Sequence, residues 1–285
     1  MGKAAADAKP VPTNAGGSGV VARPESRADR ARRLAYRSRF AAFYVLLAVV
    51  AGAGVGALVV LVGRGSPAPA PAWSAWEPTG STERRAAQIA DHVSDPYRLP
   101  SGKALVSVTS GPPTTTFSDG TTFLVRAIAR YPDTTDGRAE TDDIDTFGAE
   151  STVMYTLCGT ATGCVISEGE PSPERGQLLR RMALELGLYS FTYLDGIDSV
   201  LVLFPPAVAG ESSTAVFLQQ SDVRAELSRP LLESLPAPLV PGIGEITADE
   251  RRVIDRATGT RVYEYEAWRT QDGSALMALA PALGG

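Results

Sequence analysis

One apolar segment, residues 40–63, constrains this chain more than any other feature of its sequence. Phe40 through Gly63 is a run of 24 residues without a charged side chain or a proline. An α-helix of this length, rising about 1.5 Å per residue, can cross a hydrocarbon layer of about 30 Å with some tilt. A buried core helix is seldom apolar on every face for this long. The segment therefore predicts a transmembrane helix over 40–63, with the lipid bilayer around it.

Charge is distributed unequally on the two sides of this segment. Residues 1–39 carry nine basic and three acidic side chains, whereas residues 64–285 carry 18 basic and 29 acidic ones. Lys and Arg accumulate on the cytoplasmic flank of membrane helices. We therefore expect a single-pass protein of the cell membrane, with a cytoplasmic N-terminus and an extracytoplasmic C-terminal domain. The apolar run is longer than the core of a cleaved signal peptide, so an uncleaved signal anchor is expected.

The remaining organisation follows from composition. Residues 1–39 lack an apolar period and are expected to form a disordered, basic cytoplasmic tail. Residues 64–80 form a Pro/Ala-rich linker that favours the extended polyproline II conformation. Trp73 and Trp76 lie within it and could pack on the following domain or touch lipid headgroups; packing is the preferred reading. Residues 81–285 are expected to form one extracytoplasmic domain.

Hydrophobic periods along residues 81–285 predict an α+β fold. We expect a mainly antiparallel sheet of about eight strands with two or three helices. Helices are predicted after Ser81, Ser172 and Thr247, each a good N-cap residue. The continuous apolar run at 199–204 predicts a central strand buried on both faces. Residues 261–280 alternate around an Asp-Gly turn and predict a closing hairpin.

The two cysteines lie in the part of the chain that is expected outside the cytoplasm, in an oxidising compartment. Cys158 and Cys164 are separated by five residues rich in Gly and Thr, between two segments that predict a hairpin. This spacing is not that of a redox pair of the C-x-x-C type. We therefore expect a structural disulfide between Cys158 and Cys164.

Residues able to carry chemistry are few. His92 is the single histidine, and no partner motif surrounds it, which favours a structural role. Asp195 and Asp198 could act as an acid/base pair, but turns use aspartate routinely. The loop 133–150 carries seven acids without the spacing of a calcium loop, so a solvated loop is preferred and cation binding stays open. We expect no catalytic residue, no metal site and no cofactor.

Phosphate-binding and dinucleotide-binding glycine motifs are missing from the sequence, as are the common hydrolase and metalloprotease motifs. The net charge of −5 also argues against nucleic acid as a partner, because nucleic-acid binders carry a basic surface.

Small residues repeat along one side of the apolar segment. Ala48, Gly52 and Gly56 are four positions apart and would form one bare stripe on a helix. Such stripes allow two membrane helices to approach closely. They are also common without any partner. The stripe suggests a helix–helix contact, either a weak homo-oligomer or a contact with another membrane protein.

Two stretches of the domain are similar to a known class of proteins. One is 73–108, with its W-x-x-W-x-P start and the sequence YRLPSGKALVSV. The other is 187–206, together with Ser221-Asp222 and 229–231. They resemble uncharacterised actinobacterial single-pass membrane proteins that carry an extracytoplasmic α+β domain. That resemblance implies topology and fold, and it transfers no functional residues.

Three functions agree with these observations. The preferred one is a non-enzymatic envelope protein that binds a membrane protein, an envelope protein or a wall component. The second is an extracytoplasmic sensor or carrier of a small ligand, which requires a pocket between the sheet and a helix. The third is a hydrolase, which would depend on His92 or an aspartate pair in a cleft.

Overall fold

The computed structural model describes residues 46–47, 49, 73–132, 144–210, 213–235 and 240–282. Residues 71–285 form one compact unit. Leu46, Leu47 and Val49 are helical with exposed side chains. None of the helices within the described ranges has both the length and the apolar character needed to cross a membrane. The rest of the predicted transmembrane helix lies outside the described residues, as do Ala48, Gly52, Gly56 and the tail 1–39.

The compact unit is an α+β fold, as the sequence predicts. Its helices are α1 (Thr82–Ser94), α2 (Pro173–Tyr193), α3 (Arg224–Leu227), α4 (Leu231–Ser234) and α5 (Ala248–Thr258). Its strands are β1 (Ser107–Gly111), β2 (Thr114–Thr116), β3 (Thr122–Arg130), β4 (Asp145–Gly148), β5 (Thr152–Cys158), β6 (Ser199–Leu203), β7 (Thr214–Gln219), β8 (Val262–Arg269) and β9 (Ala275–Pro281).

The nine strands form one sheet in the order β1-β5-β6-β7-β8-β9-β3-β2, and β4 also pairs with β3. The pairing is mainly antiparallel, as predicted. Two pairs, β5 with β6 and β3 with β9, are parallel. The first parallel pair is joined by α2, because parallel neighbours need a long crossover connection.

The three longest helices begin where the sequence predicts. Ser81, Ser172 and Thr247 each accept a hydrogen bond from a backbone N–H three residues later. Such caps satisfy N–H groups that the helix itself cannot pair. Helix α2 passes through Gly187 without a break, and a Cβ at that position would lie 2.8 Å from the Leu218 side chain. The glycine therefore allows α2 to lie close against β7.

Two apolar clusters pack on opposite faces of the sheet. The larger one joins the helices to the face that carries Val200 and Leu218. The smaller one, which includes Leu201 and Phe217, is closed by aromatic side chains of the β2–β4 region. All five residues of β6 are buried, which confirms the prediction of a central strand covered on both faces.

Two local predictions were wrong. Residues 145–148 of the predicted acidic loop form β4, because Phe147 packs against Phe217 with 4.9 Å between ring centroids. Residues 133–143 of that loop lie outside the described residues. The segment after Cys164 is not the second arm of a hairpin; a short 3₁₀ turn at Thr162–Cys164 leads into irregular chain instead.

Candidate functional site

A cavity of about 200 Å³ lies at the N-terminal end of α2. It is formed by the segment before α2, the first turns of α2 and the residues that follow β6. Because β5 and β6 are parallel and α2 connects them, this is the carboxyl end of both strands. Ligands of open α/β sheets bind preferentially at such an edge.

Apolar side chains make most of the cavity wall. Ile166, Leu179, Phe204 and Pro205 line it. Gly176 also lines it from the first turns of α2, and a Cβ built on Gly176 would meet no atom within 4 Å. The glycine therefore leaves open space where any other residue would project a side chain.

Arg175 is the charged residue of this wall. It is only 7% exposed. Its Nη2 donates a hydrogen bond of 2.6 Å to the carbonyl oxygen of Glu168, and its buried Nε has no partner among the described residues. No carboxylate of the described chain lies within 4.0 Å of the guanidinium. Burial lowers the pKa of Arg175, which reflects this shortage of compensating charge.

The N–H groups of Arg175 and Gly176 at the start of α2 are already used, since Gly176 donates to the carbonyl oxygen of Ser172. Pro173 has none, and the N–H of Arg175 donates to the Ser172 hydroxyl over 3.2 Å. Hydrogen bonds from its own backbone N–H and from Ser172 lower the pKa of Glu174. The polar character of the cavity therefore comes from the guanidinium of Arg175 rather than from the helix end.

A second buried arginine, Arg181, lies further along α2 in very different surroundings. It is 1% exposed, and its Nε donates to Glu250 over 2.6 Å. Its Nη1 donates to the Tyr97 hydroxyl and, over 3.0 Å, to Glu185. Tyr97 in turn donates to Glu185 over 2.7 Å. These four side chains, named here the Arg181 network, join α2 to α5 and to the chain after α1.

Burial is the largest single influence on the pKa values of Arg181, Glu185 and Tyr97. It raises the pKa of Glu185 and, well above its usual range, that of Tyr97. Desolvation alone would lower the pKa of Arg181, but its partners Tyr97, Glu185 and Glu250 together outweigh this effect and raise the pKa. Since every member has a partner within the network, it is suited to holding helices together.

His92 belongs to an aromatic cluster. Its ring stacks on Trp76 with 3.9 Å between centroids, and its Nε2 lies 3.3 Å from the Tyr189 hydroxyl. Trp73 packs edge-on against Tyr189 at 5.3 Å. Burial lowers the pKa of His92. Both tryptophans therefore pack on the domain, as predicted, and His92 has structural contacts.

The structure also locates the other residues singled out in the sequence. Cys158 and Cys164 form a disulfide, with 2.01 Å between the sulfurs, which confirms that prediction. Asp195 forms an exposed ion pair with Arg85 at 2.7 Å, and Asp198 is exposed. Within the described ranges, no group of three or more His, Cys, Asp or Glu residues is placed to hold a metal ion.

Sequence reasoning missed both buried arginines of α2. The spacing of Arg175 does indicate a buried position. It precedes Leu178 and Leu179 by three and four positions and so shares their helix face.

Searches with this chain against family models, curated proteins and solved structures gave no match in any of the three. The roles given to these side chains consequently rest on their own geometry.

Proposed function

We propose that this chain is a single-pass protein of the cell membrane, anchored by an uncleaved helix over 40–63. Its N-terminus lies in the cytoplasm and residues 81–285 lie outside it. The uncharged run of 24 residues and the basic segment before it support this topology. The Cys158–Cys164 disulfide supports the extracytoplasmic location, because such bonds are rare in reducing compartments.

The extracytoplasmic domain acts by binding rather than by catalysis. The sequence left two binding roles open, one toward a protein or wall partner and one toward a small ligand. The observation that favours the small ligand is the cavity at the start of α2, with the buried, incompletely paired Arg175 in its wall. Binding sites for small molecules typically combine apolar walls with a few placed polar groups.

A hydrolase has less support. It would depend on His92 or on Asp195 with Asp198. His92 is stacked under Trp76, and Asp195 is engaged with Arg85 at the surface. Neither lines the cavity.

Topology can be tested with reporters at the two ends of the chain. An alkaline phosphatase fused after Gly285 should be active, because that enzyme matures only outside the cytoplasm. The matched control is the same enzyme fused before Met1, which should be inactive. Activity of the N-terminal fusion alone would reverse the proposed orientation.

Binding can be tested by native mass spectrometry of the full chain in lipid nanodiscs. We expect small molecules carried over from the cell to be retained by the wild type and lost from Gly176→Leu, whose side chain would fill the cavity. Equal retention by the two proteins would show that the cavity is not the binding site.

A further inference from the structure

We infer that the cavity at the start of α2 binds the carboxylate of a small organic acid with an apolar body, and that Arg175 is the counter-ion. This inference rests on the small-ligand function proposed above and names the chemical class of that ligand.

The first argument is the charge of Arg175. A guanidinium keeps its proton under all ordinary conditions, so Arg175 is a buried cation. Buried charges in proteins are normally paired, and Arg181 on the same helix contacts two carboxylates. Arg175 has one backbone carbonyl and an unused Nε. A carboxylate ligand would supply the negative charge that Arg175 lacks, and carboxylates accept charge-assisted hydrogen bonds from guanidinium groups.

The second argument concerns the charge of the ligand. Among the described residues of the cavity wall Arg175 is the single cation, and the N–H groups of Arg175 and Gly176 at the helix start already have partners. One acidic side chain also lies nearby, since the charge of Glu170 acts on Arg175. One cation beside an acidic neighbour suits a monoanion and disfavours a phosphate that carries more than one negative charge.

The third argument is the character of the wall. Ile166, Leu179, Phe204 and Pro205 present apolar surface in the same cavity wall as Arg175. Gly176 leaves room between them. A cavity of about 200 Å³ has room for a small molecule. The ligand therefore has an apolar body attached to its carboxylate.

Calorimetric titration of the full chain in lipid nanodiscs tests the inference, with hexanoate, hexan-1-ol and inorganic phosphate as probes. We expect saturable binding of hexanoate, affinity at least about tenfold lower for hexan-1-ol, and no saturable binding of phosphate. Arg175→Gln should weaken hexanoate at least about tenfold and leave hexan-1-ol unchanged.

Two further variants make the result interpretable. Arg180→Gln changes a neighbouring cation that pairs with Asp255 on the surface, and should bind hexanoate like the wild type. Gly176→Leu keeps Arg175, favours the helix and fills the cavity, so it should bind neither organic probe.

The outcomes separate the inference from the function on which it rests. Equal binding of hexanoate and hexan-1-ol, both lost in Gly176→Leu, would overturn the carboxylate inference and leave a cavity that binds small molecules. Tighter binding of phosphate than of hexanoate would likewise overturn it. Failure of both organic probes to bind the wild type would overturn the inference and count against the small-ligand function as well.

Discussion

Arg175 and Arg181 are the same kind of residue, on the same helix, and both are more than nine-tenths buried. Arg181 is surrounded by Glu250, Glu185 and the Tyr97 hydroxyl, so the fold itself supplies its counter-charges. Arg175 has a single backbone carbonyl and faces a cavity. Arg181 therefore holds elements of the fold together, whereas Arg175 has hydrogen-bonding capacity left for a ligand.

The two arginines also differ in how much their removal should change the free energy of unfolding. A buried ion pair contributes little relative to apolar packing, but removing one member leaves the other uncompensated and is strongly destabilising. Arg181 has two carboxylates that would be left in this way, whereas Arg175 has none among the described residues. The same substitution should therefore destabilise the protein strongly at Arg181 but not at Arg175.

The largest expected effect is that of Arg181→Met. Glu250 would remain buried without a cation, and Glu185 would lose one of its donors. We expect a loss of roughly 3–5 kcal/mol in the free energy of unfolding. Chemical denaturation of the full chain, followed by tryptophan fluorescence, measures it.

Two matched substitutions on the same helix are its controls. Arg180→Met removes a surface ion pair and should cost no more than about 1 kcal/mol. Arg175→Met should be neutral or stabilising, because an incompletely paired buried cation is replaced by an apolar side chain. Similar losses for Arg181→Met and Arg175→Met would abolish the distinction between the two sites.

The next largest effect on stability is expected from removal of the disulfide. This change should affect only the part of the domain around the cavity. The bridged loop ends at Cys164, two residues before Ile166 in the cavity wall. Replacing both cysteines by serine should cost about 2 kcal/mol, the chain-entropy value for so short a loop. Thermal unfolding measures the loss.

Hydrogen exchange would show which part of the domain is destabilised when both cysteines are replaced by serine. Amide exchange in the double variant should accelerate over 159–168 and stay unchanged around Arg181. Acceleration centred on Arg181 would contradict the separation of the two regions.

The smallest expected effect concerns His92, which contacts Tyr189 of α2. Burial lowers its pKa below about 6.5. The unfolded chain then binds a proton more tightly than the folded one, so stability decreases as pH falls through about 6.5 toward the folded pKa. Because His92 is the single histidine, its ring signals in an NMR titration need no assignment to one of several residues.

Trp76→Ala tests the cause of that shift. The variant removes the ring that covers His92 and should move the pKa of His92 upward toward its ordinary value. A wild-type pKa at or above about 6.5 would show that water reaches the imidazole freely.

Much of the fold could be predicted because local signals agreed with the final packing. Helix caps at Ser81, Ser172 and Thr247 and the apolar run of β6 depend on nearby residues alone. The parallel pairing of β3 with β9 depends on contacts between distant parts of the chain, and no local pattern encodes it. The sequence does not predict strand β4, because the acidic residues around Phe147 are typical of a loop. The contact of the Phe147 ring with Phe217 is visible only in the structure.

The candidate site was harder to predict than the fold. Arginine ordinarily occupies exposed positions, so residue type alone argues against the burial of Arg175 and Arg181. Their burial depends on what α2 packs against, which for Arg181 is Glu250 on another helix. The cysteine pair was predictable because its spacing alone allows a disulfide in an oxidising compartment.

The position of β9 in the sheet governs when the domain can finish folding during synthesis. β9 lies between β8 and β3, and the ion pair of Arg126 with Asp272 joins residues 146 positions apart. At ordinary elongation rates β3 emerges from the ribosome about 7 to 30 s before its parallel partner exists. Throughout that interval β3 has an unpaired edge toward the missing strand, and such edges invite pairing with other chains. Until β9 is made, this edge of β3 would therefore need protection from pairing with other chains.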